Sequence, residues 1–294
     1  MLRQISVVSG KGGTGKTSLT ALWARRAEAV VLVDADVDAS NLPLAFSHRE
    51  RQRHRFVGRD VAVVNETLCT ACGLCADMCR FEAFRTVQRD GGTGYEVDPL
   101  ACEGCTLCSL ACPPGAITMH PHESGEWFVS DTPYGPLVHA QLGVAEGNSG
   151  KLVTQVRRAA EEVAEAEGRD LILIDGPPGI GCQTTAALTG ADLAVVVTEP
   201  SASGRHDMAR LLQVIARFDV PALVVLNKAD LAPDQEDPLR RAAARHGADF
   251  IGTVPFVPEL PRVLAMGTLL SSPPPALLPV IESLWDTVMD HLGA

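Results

Sequence analysis

Short apolar runs rich in Val, Ile and Leu recur along the chain, and most of them contain no alternating polar residue. They lie at residues 5–8, 30–33, 171–174, 194–198 and 222–226. An unbroken apolar run is typical of a strand that is covered on both faces of a parallel sheet. Amphipathic helical patterns lie between or after these runs, at residues 19–29, 149–166 and 276–292. The pattern predicts a mostly parallel α/β sheet with helices on both faces.

The region between the second and third of these runs has a different pattern. Residues 126–130 and 136–142 predict two more strands with a short connection. Before them, residues 48–59 form a polar run that contains five arginines. We expect this run to be a solvated linker or helix face, and the alternative is a docking patch for an acidic redox partner.

Glycines follow the first apolar run and lead directly into a helical pattern. They fit the pattern G-x-x-x-x-G-K-[ST], and the residues are Gly10, Lys11, Gly12, Gly13, Thr14, Gly15, Lys16 and Thr17, followed by Ser18. In this context backbone N–H groups and the helix N-terminus bind phosphate, the lysine reaches the terminal phosphates and the threonine hydroxyl binds Mg²⁺. We therefore expect residues 10–18 to bind a nucleoside triphosphate. A glycine-rich turn that binds nothing is the alternative.

Polar residues follow several later strands, at the carboxyl ends where ligands bind in an open α/β sheet. Asp36 comes after the second run, and we expect it to lie near Mg²⁺ or the attacking water. Asp175 ends the run at 171–174 and is predicted to hold the hydration shell of Mg²⁺. Asn227 offers a donor and an acceptor to a purine base, against which Pro255 is expected to pack. A solvated turn acid is the alternative for Asp36.

Between residues 61 and 119 the composition changes, because eight of the nine cysteines lie there. They form two copies of C-x2-C-x2-C-x3-C with a period of 33 residues, joined by a glycine-rich connection at 90–94. This spacing is typical of two-cluster bacterial ferredoxins, in which the fourth cysteine of each copy ligates the other cluster. One predicted [4Fe–4S] ligand set is Cys69, Cys72, Cys75 and Cys112, and the other is Cys102, Cys105, Cys108 and Cys79.

Zinc sites and free core thiols are the alternatives for these cysteines. Zinc ribbons use separated C-x2-C pairs, whereas triplets with a trailing cysteine and proline favour iron–sulfur clusters. One departure distinguishes the copies, since Arg80 follows Cys79 where Pro113 follows Cys112. The predicted domains are residues 1–58 and 121–294 for the nucleotide-binding part, with a small α+β ferredoxin-type insert at 59–120.

Charge and length restrict the classes of function. The 294 residues carry a net charge of −11, which argues against a nucleic-acid-binding surface. No apolar run approaches the ~20 residues of a membrane span. The predicted C-terminal helix has no Lys or Arg, so we expect no stable membrane anchor. Cysteine arrays without an apparent disulfide framework are typical of a reducing compartment, and we expect a cytoplasmic protein.

Taken together, residues 11–17, Asp34-Ala35-Asp36, residues 175–179 and Asn227-Lys228 resemble the MinD/Mrp group of deviant Walker-A P-loop ATPases, relatives of the nitrogenase iron protein. With the cysteine repeat, the chain is similar to members that contain an inserted two-cluster ferredoxin domain. The resemblance implies bound ATP and Mg²⁺, and a dimer with a second copy or a paralogue. It implies that Lys11 contacts the nucleotide of the other subunit, that Asp36 orients the attacking water and that residues 175–179 form a switch.

These expectations combine into an ATPase whose nucleotide-dependent dimer closure is coupled to electron transfer towards a redox protein. The alternatives are an iron–sulfur cluster scaffold or carrier of the Mrp type, and a redox-sensing positioning or regulatory ATPase. Cys182 follows the switch at residues 175–179, where the nitrogenase iron protein has a cluster-bridging cysteine. We expect a packed thiol without a ligand here, and a bridging ligand is the alternative.

Overall fold

The computed structural model describes residues 2–89, 92–144, 146–147 and 149–293. Asp90 and Gly91 of the glycine-rich connection, and Asn148 before the long helix, lie outside these residues. Contacts divide the chain into two compact units: residues 1–54, 127–141 and 149–294, and residues 55–126 and 142–148. The division into a nucleotide-binding domain and an inserted ferredoxin domain stays a prediction, because contacts within two compact units do not identify the fold or function of either unit.

The first unit contains a parallel sheet with α-helices in the connections. Its elements are β1 (Arg3–Ser9), α1 (Lys16–Ala24) and β2 (Val30–Asp34), with β3 (Arg49–Val64) beginning here. The second unit adds α2 (Leu74–Met78), β4 (Phe84–Arg89), β5 (Gly92–Val97) and α3 (Leu107–Ala111). The chain then continues through β6 (Ile117–Thr132), β7 (Gly135–Leu142), α4 (Ser149–Glu167), β8 (Leu171–Pro178), α5 (Cys182–Leu188) and β9 (Leu193–Thr198). It ends with α6 (Ala202–Ile215), β10 (Ala222–Asn227), α7 (Glu236–Arg245), β11 (Asp249–Val254), α8 (Leu260–Ala265) and α9 (Leu278–Gly293).

The sheet has the strand order β11-β10-β9-β1-β8-β2-β7-β6-β3. Strands from β11 to β7 in this order pair in parallel, which confirms the predicted sheet. The glycine-rich sequence follows β1, which has β8 on one side and β9 on the other. The carboxyl ends of β2, β8, β9 and β10 therefore lie near that loop.

Helices cover both faces of the sheet, as alternating side chains require. Ile5 and Val7 of β1 pack into one core with α1 and α9, where Trp23 and Trp285 lie 5.7 Å apart between ring centroids. Val8 packs into a second core with α6 and α7, which contribute Met208 and Leu239 among others. Both faces of the central strands are therefore buried, which explains their unbroken apolar runs.

Residues 48–59 are neither a linker nor a helix face, so that prediction is wrong. They lie mostly in β3, the edge strand of the sheet. Within the first unit, Arg51 Nη1 lies 2.6 Å from Glu167 Oε1 and 3.4 Å from Asp131 Oδ1. Acidic side chains from distant parts of the chain therefore compensate the arginine charge of this strand.

One helix boundary also differs from expectation. Helix α1 ends at Ala24 and does not reach Ala29, whose φ of 47° lies outside the right-handed helical region. Among the described residues, no helix is both long and apolar enough to cross a bilayer.

The second unit has its own small core around the cysteines. Strands β4 and β5 form an antiparallel hairpin. Val61, Ala83, Cys102 and Ile117 are buried, and Cys75, Cys79, Cys108 and Cys112 pack against them. The unit thus combines two short helices and a hairpin, an α+β arrangement.

Candidate functional site

A large cavity opens at the carboxyl ends of the strands in the first unit. Its volume is about 1030 Å³. The wall includes residues 12–18, Asp36, Asn227 and Pro255, all predicted to bind the nucleotide. Of the other predicted residues, Gly10, Lys11 and Asp175 do not line the wall. The structure therefore brings together most of the predicted nucleotide-binding residues.

The glycine-rich loop is held by Asn227 and Lys228. Asn227 Nδ2 donates to the Thr14 carbonyl at 2.7 Å, and Lys228 Nζ donates to the Gly13 carbonyl at 2.8 Å. Gly15 has a φ of 91°, and a Cβ atom there would overlap the Asn227 amide. Asn227 Oδ1 also accepts the Lys228 backbone N–H at 2.9 Å. Asn227 thus fixes the loop through its own side chain, a role that the prediction of base contact did not include.

Lys16 and Asp175 form a buried ion pair at the start of α1. Lys16 Nζ lies 2.8 Å from Asp175 Oδ1, and the two side chains are 7% and 1% exposed. Thr20 Oγ1 donates to the same oxygen at 3.5 Å. Asp175 Oδ2 is buried and makes no hydrogen bond within the described chain. This unsatisfied oxygen carries an energetic cost, which a cation or water bound there would relieve.

Asp34 is a residue to which sequence reasoning assigned no role, and it organises the loop that carries Asp36. Its Oδ1 accepts the Asp36 N–H at 3.0 Å. Its Oδ2 accepts the Ser40 hydroxyl at 2.8 Å and the Leu42 N–H at 2.9 Å. Complete burial and the nearby Asp175 raise the pKa of Asp34 to about 7. The sequence pattern that could have indicated a role for Asp34 is an acidic residue at the last position of an otherwise apolar strand.

Asp36 faces the cavity and is partly buried. Burial raises its pKa; Lys16 lowers it, and Asp175 and Asp38 raise it further. Asp38 in turn accepts a hydrogen bond from Gln183 Nε2 at 2.5 Å. This bond joins the loop after β2 to helix α5, which follows the Asp175 segment. The loop that carries Asp36 is therefore in contact with the helix that follows residues 175–179.

Lys11 makes its contacts within its own subunit. Its Nζ lies 2.5 Å from Glu199 Oε1 and 3.1 Å from Ser203 Oγ. Lys228 Nζ approaches Glu199 Oε2 at 3.5 Å. Burial alone would raise the pKa of Glu199, but the hydrogen bond and charge of Lys11, assisted by Lys228, lower it. No sequence pattern indicated a role for Glu199, although it follows β9, which pairs with β1.

Cys182 is exposed and lines the same cavity, so the expectation of a packed thiol is wrong. It is the first residue of α5. Gly150 of α4 packs against it so closely that a Cβ atom would lie 3.2 Å from Cys182 Cβ. One side of Cys182 is thus covered by α4, while the thiol stays accessible from the cavity.

The eight remaining cysteines lie around two cavities of the second unit. One cavity, of about 20 Å³, has Cys69, Cys72, Cys75 and Cys112 in its wall. The other, of about 350 Å³, has Cys75, Cys79, Cys102, Cys105 and Cys108 in its wall. Burial raises the pKa of Cys75 and of Cys108, the third cysteine of each array. In the part of the chain that the structure describes, no three or more His, Cys, Asp and Glu side chains are placed to hold a single metal ion.

Comparisons with known proteins agree with this fold. The family model of the CobQ/CobB/MinD/ParA nucleotide binding domain matches residues 5–270. An uncharacterised protein of Methanocaldococcus jannaschii, MJ0578, is 28% identical over 99% of this chain and 98% of its own length. A second protein of that archaeon, MJ0579, is 26% identical over 76% of this chain and 79% of its own length.

Solved structures show the same architecture at low sequence identity. The septum site-determining protein MinD of Pyrococcus horikoshii, complexed with Mg-ADP, is 18% identical with a TM-score of 0.56, and the match covers 98% of this chain and 96% of that one. The ATP complex of Cyanothece McdA(D38A) is 16% identical with a TM-score of 0.55, and covers 99% and 96%. The parallel sheet, the phosphate-binding loop and the match over residues 5–270 show that the chain belongs to the CobQ/CobB/MinD/ParA nucleotide-binding family.

Proposed function

We propose that this protein is an ATPase that carries two [4Fe–4S] clusters and couples nucleotide-dependent dimer closure to electron transfer. The observation that carries the proposal is the division of eight cysteines between two cavities. Apart from Cys75, which lines both cavities, each cavity has the last cysteine of one array beside cysteines of the other array, as the crossed pattern of the sequence repeat requires.

The donor sets fit iron–sulfur clusters better than single ions. Each thiolate on a cubane binds a different iron atom, so the four sulfur atoms surround a space and do not converge on a point. The two cysteine-lined cavities are the observation that supports this arrangement. Such clusters supply one-electron carriers. Cys69, Cys72, Cys75 and Cys112 would hold one, and Cys79, Cys102, Cys105 and Cys108 the other.

In the proposed ATPase reaction, Lys16 would exchange Asp175 for the terminal phosphates, and Thr17 would hold Mg²⁺, which would neutralise phosphate charge. Asp36 orients the attacking water, and its raised pKa suits a group that accepts a proton. Asp175, once released from Lys16, is free to accept hydrogen bonds from the hydration shell of Mg²⁺. Asn227 and Pro255 line the part of the cavity assigned to adenine. The bound Mg-ADP and ATP of the MinD and McdA structures support this choice of ligand.

Dimer closure would require Lys11 to leave Glu199 and reach the nucleotide of the other subunit. The partner is a second copy or a paralogue of this chain. The presence of two relatives in one archaeon, MJ0578 and MJ0579, agrees with a paralogous partner. The contact between Asp38 and Gln183 gives the phosphate site a route to α5 and Cys182.

The first experiment determines cluster content. Anaerobic reconstitution should give about eight iron and eight sulfide per chain. Cys112→Ala should lose about half of both, whereas the matched control Cys182→Ala should lose none. Wild-type iron content in Cys112→Ala would contradict the ligand assignment.

The second experiment tests coupling. The dithionite-reduced protein, freed of reductant, is mixed with an electron acceptor in the presence of MgATP, MgADP or no nucleotide. Electron delivery should differ among the three conditions. Equal rates in all three would contradict the coupling while leaving the clusters intact.

A cluster carrier of the Mrp type is the second candidate, and the exposure of Cys182 favours it, since transfer sites need accessible thiols. Transfer of labelled iron to an apo-protein, lost in Cys182→Ala, would support that function. A redox-sensing regulatory ATPase is distinguished by an ATPase rate that changes on reduction without net electron delivery.

A further inference from the structure

Helix α3 of the second unit presents an unusually apolar surface to solvent. Leu110 is 82% exposed and Leu107 is 45% exposed. Three residues apart on a helix, they lie on the same face. We name Leu107 and Leu110 the α3 patch. Exposed leucines are common singly, but two on one short helix beside an exposed cysteine call for an explanation.

The internal repeat supplies a comparison within the same chain. Leu107 of α3 corresponds to Leu74 of α2, which is 37% exposed. Leu110 corresponds to Asp77, an exposed acid. The two helices therefore differ most at this position, where α3 is apolar and α2 is charged. Only α3 thus offers an apolar face of two exposed leucines.

One residue of the α3 patch, Leu107, lies in the wall of the larger cysteine-lined cavity, and Leu110 lies one helical turn further along α3. Leu107 lines that cavity and is half exposed, and so connects its wall to the surface. Cys105, two residues before Leu107, lines the cavity and is exposed. A cofactor bound to Cys79, Cys102, Cys105 and Cys108 would therefore be reached from solvent beside this patch.

Charge determines which kind of partner fits. Residues 55–126 and 142–148 contain eleven Asp and Glu, five Arg and no Lys. Asp77 and Glu103 are exposed near the two arrays, and Arg80, which is also exposed, is the basic residue in the wall of the larger cavity. Thiolate ligands outweigh the positive charge of a cubane and add to this negative field. A second copy of this chain would bring the same acidic surface, so electrostatics disfavour self-association here.

We propose that the α3 patch is the docking site for a redox protein whose cofactor edge is apolar and surrounded by Lys and Arg. This proposal rests on the proposed function. One electron leaves the reduced cluster held by Cys105 and its three partners, and reduces the acceptor cofactor by one electron. The apolar contact excludes water and holds the two cofactors close, while the acidic surface attracts the basic partner.

The test uses Leu110→Asn, which removes the apolar contact without adding charge, and Leu74→Asn, the same substitution at the exposed leucine of α2, as the control. Binding is measured on the reconstituted protein with zinc-substituted cytochrome c, a basic probe whose ground state accepts no electron from the clusters and whose fluorescence anisotropy reports association. Electron transfer is measured with ferric cytochrome c, whose haem is reduced to the ferrous state, and with benzyl viologen as a small acceptor.

Leu110→Asn should weaken binding of the zinc probe about tenfold and slow haem reduction by a similar factor, since loss of a buried apolar anchor has about this effect. The rate with benzyl viologen and the iron content should not change, and Leu74→Asn should behave as wild type. Salt should slow haem reduction in the wild type.

Equal effects of the two variants, or none from either, would overturn the docking site. A rate of haem reduction that does not depend on salt would overturn the inference that the partner is basic. Self-association of the wild type that is lost in Leu110→Asn, with unchanged binding of the probe, would assign the patch to a second copy. A reconstituted protein without clusters would overturn both this inference and the proposed function, whereas normal clusters with no effect of Leu110→Asn would overturn only the inference.

Discussion

Replacing Asp34 with asparagine should change how the stability of the first unit depends on pH. The pKa of Asp34 is raised from 3.8 to about 7, first by burial and then by Asp175, against the opposing effects of Lys16, Ser40 and Leu42. The folded chain therefore holds a proton that the unfolded chain releases. This stabilising contribution is complete below 3.8 and is lost as the pH rises through about 7.

The magnitude follows from the two pKa values. Between about pH 5 and about pH 8, the wild type should lose about 2–3 kcal/mol of unfolding free energy through Asp34. The amide introduced by Asp34→Asn does not titrate, so this loss disappears in the variant. The single carbonyl of that amide cannot accept from both the Asp36 and Leu42 N–H groups, and the variant should be about 1–3 kcal/mol less stable than wild type at pH 5. The difference between the two proteins should close by pH 8.

Urea unfolding followed by tryptophan fluorescence is the appropriate assay. The three tryptophans, Trp23, Trp127 and Trp285, all belong to the first unit. Ser40→Ala is the control, since it removes one hydrogen bond to Asp34 and keeps the titrating carboxyl. It should retain the pH dependence of the wild type. A constant stability difference between wild type and Asp34→Asn from pH 5 to pH 8 would refute the reasoning.

Three further substitutions test other parts of the structure. Gly15→Ala should weaken binding of a fluorescent ATP analogue by at least about tenfold, because the site needs a φ of 91° and a Cβ atom would overlap Asn227; unchanged affinity would show that the loop adapts. Glu199→Gln should free Lys11 and strengthen ATP-dependent dimerisation several-fold in sedimentation velocity, and weaker dimerisation would contradict the view that Glu199 restrains Lys11. Trp285→Ala should lower the unfolding free energy by about 3–5 kcal/mol, since the side chain is 5% exposed and packs against Trp23; a loss below about 1 kcal/mol would mean that α9 contributes little to the core.

Local patterns explain why the strands and the place of the glycine-rich loop could be predicted. The apolar runs at 30–33 and 171–174 became β2 and β8, and residues 12–18 line the cavity at the carboxyl ends of the strands. In each case a few consecutive residues determine the backbone: apolar side chains need two covered faces, and glycines permit the phosphate loop.

Non-local contacts explain what the sequence did not indicate. The strand β3 was missed because its arginines are compensated by Glu167 and Asp131, far along the chain. Arg49, Arg51 and Arg53 alternate with a period of two, and this pattern could have indicated a strand. The restraint of Lys11 and the exposure of Cys182 depend on how helices pack, and no local pattern records either.

The central claim is that nucleotide and clusters are coupled, and redox titration of the reconstituted protein monitored by EPR tests it most directly. By linkage, a nucleotide that binds the oxidised and reduced forms with different affinity must shift a reduction potential, by about 60 mV for a tenfold difference in a one-electron couple. We predict that MgATP shifts the midpoint potential of at least one cluster signal relative to MgADP and to the nucleotide-free protein. Identical potentials in all three states, with nucleotide shown to be bound, would contradict the account.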